Sequence, residues 1–355
     1  MIALGPTTYF SLGILLLTHR GMLLTGNSGI FLCNCRVATN VTSIDIAVLN
    51  QTIHGMSTEA YRDVLAERLP SQTVELVASP SEYEELLPEA RVVTGFEIDA
   101  ATVEEATNLE LFACTFAGTD HLPLEAFAEN DVKVTNASGV HGPNASEQVL
   151  AYVLSFARGL DRGWQQSQAG TWSHYHTDEL YGSTVTVVGM GSIGGAILER
   201  LAPFGVETIG VRNSPSKGGN ADEVVGIEEV PEILPRTDYL ILACPLTEET
   251  AHLVDETALS RMPPDSVLVN IARGEVVDTD ALLAALRTNE LRGAALDVTD
   301  PEPLPDGHPL WSHDNCLITP HNAGYTPRYW DRMADIIADN IDRLGTDEPL
   351  RNLAN

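Results

Sequence analysis

The stretch from Gly182 to Ser214 constrains this chain more than any other. An apolar, β-branched run, Val185 to Val188, stops at Gly189-Met190-Gly191-Ser192-Ile193-Gly194. A helical pattern follows (Ala196, Ile197, Leu201), then a second short apolar run, Thr208 to Val211. Strand, glycine turn, helix, strand is the context in which G-x-G-x-x-G becomes informative. Gly189 permits the tight turn, Gly191 lets a pyrophosphate approach the backbone, and Gly194 lets the helix pack close to the strand. The helix start at Ser192 and Ile193 offers free N–H groups and a positive dipole end to phosphates. This is a dinucleotide site.

The rest of the chain must be long enough to support such a unit, and 355 residues at 44% hydrophobic content allow two domains with proper cores. The formal charge is −30, and Lys133 and Lys217 are the only lysines. The acid is spread along a normally hydrophobic chain, so it does not mark a disordered tail. It points to adaptation to molar salt, where the Debye length shrinks to a few ångströms and self-repulsion is relieved. It also argues against nucleic acid or an anionic membrane as partner. Cysteines 33, 35, 114, 244 and 316 are odd in number, and three lie in apolar strand-like runs, which reads as buried thiols in a reducing cytoplasm. Cys33-Asn34-Cys35 has no second ligand pair at metal spacing, so no metal is expected.

Residues 1–42 differ from the rest: they carry Arg20 and Arg36 but no acid, leaving 18 basic and 50 acidic groups in the other 313 residues. Phe10 to Leu17 is too short to span a bilayer and lacks a basic flank before Arg20. A disordered extension, a weak membrane-associating segment and translation upstream of the true start all fit; the abrupt break favours the last.

From Ser43 the pattern is α/β. Strands are expected at 44–49, 74–77, 92–93, 111–116 and 132–135, with helices at 58–69, from 81, and at 101–106 between them. Gly139 to Pro143 is a break. A long helix is expected over 145–162, capped by Asn144 or Ser146, then a polar loop over 163–181. Later strands fall at 239–243, 266–270, 293–298 and 316–319, and a last helix at 327–343.

Three candidate site residues end strands of the second unit, where ligands sit in open α/β sheets. Arg273 follows the run Val267 to Ala272, and its guanidinium can hold a carboxylate with two parallel hydrogen bonds. His321, after Thr319-Pro320, is placed as a proton donor near neutral pH. Glu302, bracketed by Pro301 and Pro303, would favour the charged imidazolium and fix the ring if the fold brings it to His321.

At this point the chain resembles a known family. GMGSIG (189–194), CPLTEET (244–250), VNIARGEVVD (269–278), ALDVTDPEPLP (295–305) and HPLWSHDNCLITPHNAG (308–324) look like the D-2-hydroxyacid dehydrogenases, which include glyoxylate/hydroxypyruvate reductases and phosphoglycerate dehydrogenases. FAGTDHLPLEAF (116–127) and TNASGVHGPNASEQVLAYVLSFARGL (135–160) match as well, so the resemblance runs from about 45 to 355. It implies two Rossmann-like domains with doubly wound parallel sheets. The dinucleotide-binding domain (144–325) is inserted into a discontinuous substrate domain (43–143 and 326–355). It implies that Arg273 anchors the substrate carboxylate, that His321 is the acid/base and that Glu302 orients it. Backbone N–H groups around Ala117 and Gly118 assist the carboxylate. Gly189, Ser192 and Ile193 lie under the pyrophosphate, while Pro245, Thr250, Ala272 and Asp297 line the nicotinamide side. The expected reaction interconverts a small 2-keto acid and a D-2-hydroxy acid, and the region 145–181 resembles the family's dimerisation region, implying a homodimer.

Two departures matter. Relatives that use NAD carry an acid after the second strand, whereas this chain has Arg212-Asn213-Ser214 with Lys217 close by. Cation, amide and hydroxyl suit a 2′-phosphate, so NADP(H) is expected over NAD(H). Asn322 also stands where a small apolar residue is expected after the histidine. The rival readings are a nucleotide-sensing, corepressor-like binding protein of this fold, or a phosphoglycerate dehydrogenase; the first has no need of the full Arg273, Glu302 and His321 set.

Overall fold

The computed structural model describes residues 44–355, His54 excepted. The expectations for residues 1–42, including Cys33 and Cys35, lie outside the described residues.

Five short strands, β1 (Ile46–Leu49), β2 (Val74–Val77), β3 (Val92–Gly95), β4 (Leu111–Cys114) and β5 (Lys133–Thr135), form one parallel sheet in the order β2-β1-β3-β4-β5. Seven more form a second: β6 (Thr184–Val188), β7 (Glu207–Val211), β8 (Glu223–Val225), β9 (Tyr239–Leu242), β10 (Val267–Asn270), β11 (Gly293–Leu296) and β12 (Cys316–Ile318). Their order is β12-β11-β10-β9-β6-β7-β8, again parallel throughout. The fold is therefore the two-sheet, doubly wound α/β arrangement read from the sequence.

Continuous apolar runs such as Ile46-Ala47-Val48-Leu49 and Tyr239-Leu240-Ile241-Leu242 are buried along their whole length, because helices cover both faces of each sheet. Two apolar clusters flank each sheet. The chain returns to its first sheet at the end. The helix Tyr329–Arg343 packs Tyr329, Trp330, Met333 and Ile337 there, and Trp330 stacks on Tyr61 at 4.2 Å between ring centroids. The final residue, Asn355, accepts from the Val134 amide at 2.9 Å.

The long helix differs from the expected 145–162. It runs Gly142–Arg158, stops at Gly159 (φ +61°), and a second helix, Leu160–Gln168, occupies much of the expected polar loop. The left-handed backbone at Gly159, a conformation glycine adopts at little cost, ends the helix. The Tyr175 side chain packs over this corner: a Cβ on Gly159 would meet its ring at 2.8 Å, and one on Gly163 its hydroxyl at 2.5 Å. Neither expected cap is used: His141 occupies the N-cap position, and the Ser146 hydroxyl turns back to the Gly142 carbonyl at 2.6 Å. The short helices Leu124–Glu129, Glu256–Arg261 and Thr279–Thr288 and strand β8 were not anticipated. Asp255 and Asp278 cap two of those helices by accepting from Ala258 and Ala281, a signal visible in the sequence.

Candidate functional site

The glycine turn leaves β6, which lies between β9 and β7, the point where strand order reverses in the second sheet. Each glycine has its own reason. Gly189 sits at φ +97°, and a Cβ there would meet the Ala243 carbonyl oxygen at 2.6 Å. A Cβ on Gly194 would collide with the Gly189 carbonyl oxygen, so helix Ser192–Leu201 could not seat against β6. At Gly191 a Cβ would meet nothing within 4 Å, and no side chain caps the helix. Open space beside uncapped N–H groups at Ser192 and Ile193 is what a pyrophosphate requires. These residues fit a dinucleotide.

At the end of β7, Arg212 donates from Nη1 to the Gly218 carbonyl at 2.7 Å, which folds the segment Asn213–Gly218 back beside the strand. Ser214 and Lys217 lie on this segment, and Asn213 donates to Glu249 of the loop after β9 at 3.4 Å. That loop is tightly closed. The buried Thr250 hydroxyl donates to the Pro245 carbonyl at 2.7 Å and accepts from the Thr247 amide at 2.7 Å.

Beyond β10, the Asn270 side chain builds the turn that carries Arg273. It accepts from the Ala272 amide and donates to the Arg273 carbonyl, each at 2.9 Å, and is 1% exposed. Arg273 itself is exposed and donates from Nη1 to the Ala272 carbonyl at 2.6 Å. Gly274 lets this turn lie against Thr299 and Asp300, since a Cβ there would strike their backbone atoms. The loop bearing Glu302 thus leaves from directly beside Arg273.

Glu302 does reach the histidine: its Oε1 lies 2.6 Å from His321 Nδ1, with both side chains a little under half exposed. Nε2, across the ring, has no bonded partner among the described residues. His321 is held at φ +53°, a left-handed backbone that L residues seldom adopt. Asp297 imposes it. Its carbonyl accepts from the His321 N–H, and its carboxylate, 2% exposed, accepts from the Asn322 and Ala323 amides at 2.8 Å and from the Thr319 hydroxyl. The Tyr152 hydroxyl bonds Thr319 in turn, and burial pushes that phenol above its ordinary range. Sequence reading placed Asp297 on the nicotinamide side; in the structure both of its oxygens are engaged by the His321 loop.

The first sheet contributes the loop after β4. Ala117 and Gly118 are exposed, and no bond among the described residues takes up their N–H groups. The two sheets are tied together next to His321. Arg332, on the helix that returns to the first sheet, donates to Asn144 of the long helix at 2.9 Å; on the second-sheet side Asn144 donates to the Ala323 carbonyl at 2.6 Å, and on the first-sheet side Arg332 donates to the Val140 carbonyl at 2.6 Å and the Tyr329 hydroxyl to the Thr115 carbonyl. Sequence reasoning gave Asn144 only as a helix cap and Asn270 and Gly274 only within the VNIARGEVVD stretch, and it missed Arg332.

Comparisons with known proteins agree on one lineage. Residues 150–323 match the family model described as D-isomer specific 2-hydroxyacid dehydrogenase, NAD binding domain. A glyoxylate reductase of Pyrococcus furiosus is 35% identical over 255 residues, covering 69% of this chain and 75% of the relative. The crystal structure of a D-isomer specific 2-hydroxyacid dehydrogenase family protein from Aeromonas salmonicida is similar, with a TM-score of 0.68 and 31% identity over 88% of this chain and 99% of that one. A D-isomer specific 2-hydroxyacid dehydrogenase from Xanthobacter autotrophicus, solved with NADPH and MES, has a TM-score of 0.69 at 28% identity, covering 88% of this chain and 98% of that one. No described helix is long and apolar enough to cross a membrane. With relatives above 30% identity covered over three quarters of their length, this chain belongs to the D-isomer specific 2-hydroxyacid dehydrogenase family.

Proposed function

We propose that this chain interconverts a small 2-keto acid and its D-2-hydroxy acid, with NADP(H) preferred over NAD(H). The observation that carries the reading is the 2.6 Å contact between His321 and Glu302, in a loop that begins beside the Arg273 turn. In the reducing direction the exposed Arg273 guanidinium grips the carboxylate and polarises the keto oxygen, helped by the Ala117 and Gly118 N–H groups. His321 delivers a proton from Nε2 to that oxygen, and Glu302 holds the ring through Nδ1. The bound nicotinamide supplies the hydride to C2. Gly189, Gly191, Ser192, Ile193 and Gly194 carry the pyrophosphate, and Arg212, Asn213 and Ser214 take the 2′-phosphate. Pro245, Thr250, Ala272 and Asp297 shape the nicotinamide side.

On this reading 43–143 with 326–355 is the substrate domain and 144–325 the cofactor domain, joined next to the hinge by the bond from Arg332 of the first to Asn144 of the second. The exposed Leu160, Trp164 and Trp172, at 56, 70 and 96%, support a homodimer closed over that apolar surface. The −30 charge supports a halophilic enzyme, and the free thiols of Cys114, Cys244 and Cys316 support a reducing, cytoplasmic setting. Initial rates with NADPH and NADH across a panel of 2-keto acids, in about 3 M KCl, test the proposal. It expects turnover with higher kcat/KM for NADPH; a preference for NADH would remove Arg212 from its role, and no turnover would refute the dehydrogenase reading.

A further inference from the structure

The segment after β7 and the loop after β9 flank the glycine turn at the end of β6, and they touch. Asn213 Nδ2 lies 3.4 Å from Glu249 Oε2. Neither side is loosely held: Arg212 pins its segment through Gly218, and the Thr250 bonds to Pro245 and Thr247 close the other loop immediately beside Glu249. A carboxylate is therefore fixed against one of the three residues assigned to the 2′-phosphate. We propose that Glu249 is a specificity-determining residue that weakens binding of the 2′-phosphate, and so limits how strongly this chain prefers NADP(H) to NAD(H).

The inference rests on the NADP(H) reading above. A 2′-phosphate carries nearly two negative charges, and hydrogen bonding to Asn213 brings it within a few ångströms of Glu249. The repulsion opposes the attraction of Arg212 and Lys217. A ribose with a free 2′-hydroxyl carries no such charge and escapes the repulsion. Because Asn213 and Glu249 are both exposed, the repulsion is screened by salt. The discrimination between the two cofactors is thus set partly by ionic strength.

Calorimetric binding of 2′,5′-ADP and of 5′-AMP to the whole protein tests this without turnover. Glu249→Gln is expected to tighten 2′,5′-ADP about fivefold in 0.3 M KCl and less than about twofold in 3 M KCl, with 5′-AMP unchanged in both. Glu249→Arg, which adds a direct phosphate partner, is expected to tighten 2′,5′-ADP at both salt concentrations. An unchanged 2′,5′-ADP affinity in Glu249→Gln at 0.3 M, or equal tightening of 5′-AMP, overturns the inference. Arg212→Ala separates it from its premise. If that change weakens 2′,5′-ADP while Glu249→Gln is silent, only the role of Glu249 falls; if Arg212→Ala is silent, the NADP(H) reading falls and takes this inference with it.

Discussion

The main-chain N–H of His321 donates to the carbonyl of Asp297 at 2.8 Å, and the Asp297 carboxylate takes the next two N–H groups in the chain. One buried acid therefore holds the loop that aims the histidine. Removing it leaves two amides and the Thr319 hydroxyl without acceptors, and releases the left-handed backbone at His321. Asp297→Ala is expected to lower stability by about 3 kcal/mol and kcat by more than tenfold. Denaturant melts and rates on the refolded variant check both; native-like values would remove Asp297 from this role.

Gly194→Ala places a methyl on the Gly189 carbonyl oxygen. Backbone cannot give way there as a flexible side chain could, so the helix must lift from β6. Nucleotide binding, followed by calorimetry with 5′-AMP, is expected to fall by at least tenfold. By contrast Gly195→Ala, whose Cβ would meet only Asn220 at 4.0 Å, is expected to bind normally.

Burial raises three thiols: Cys114 upward, Cys244 to about 11 and Cys316 to about 12. At pH 8 a thiol at 11 is only about one part in a thousand thiolate, so native alkylation by iodoacetamide is expected to be slow at all three. The linkage has a definite sign. These groups stay protonated when folded but ionise near 8.5 when unfolded, so they draw stability away as pH rises above about 8.5. Peptide mass spectrometry after alkylation, and melts at pH 7 and 9.5, read the two effects; rapid labelling of Cys114 or Cys244 in the native state would contradict the burial seen here.

On the halophilic reading, the net charge of −30 sets a salt requirement. Thermal melts are expected to rise by several degrees or more between about 0.1 M and about 3 M KCl as repulsion among the acids is screened. Equal melting temperatures would end the halophilic reading.

How much of this was legible beforehand follows from what kind of signal each residue leaves. The glycine turn could be read because its demands are local: a strand, a positive φ and a helix start adjoin in sequence. Arg273 and His321 could be placed because each follows an apolar strand run. Glu302 was conditional on the fold, and the fold supplied the condition by packing Gly274 against Thr299 and Asp300. Asp297 was read as lining the nicotinamide side, and its bonding left no local signal, since its partners are amides 25 and 26 positions away. The break at Gly159 was missed because the apolar period runs on to Leu160, although a glycine at a left-handed helix end is a stop signal that the sequence carries.

The most direct test of the central claim is proton delivery by His321. Reduction of the best 2-keto acid would be followed in the wild type and in His321→Ala, with nucleotide affinity measured on the same samples. The account predicts that kcat falls by about 10² to 10⁴ in the variant while 5′-AMP and 2′,5′-ADP bind as before. Wild-type turnover that survives in His321→Ala would contradict it.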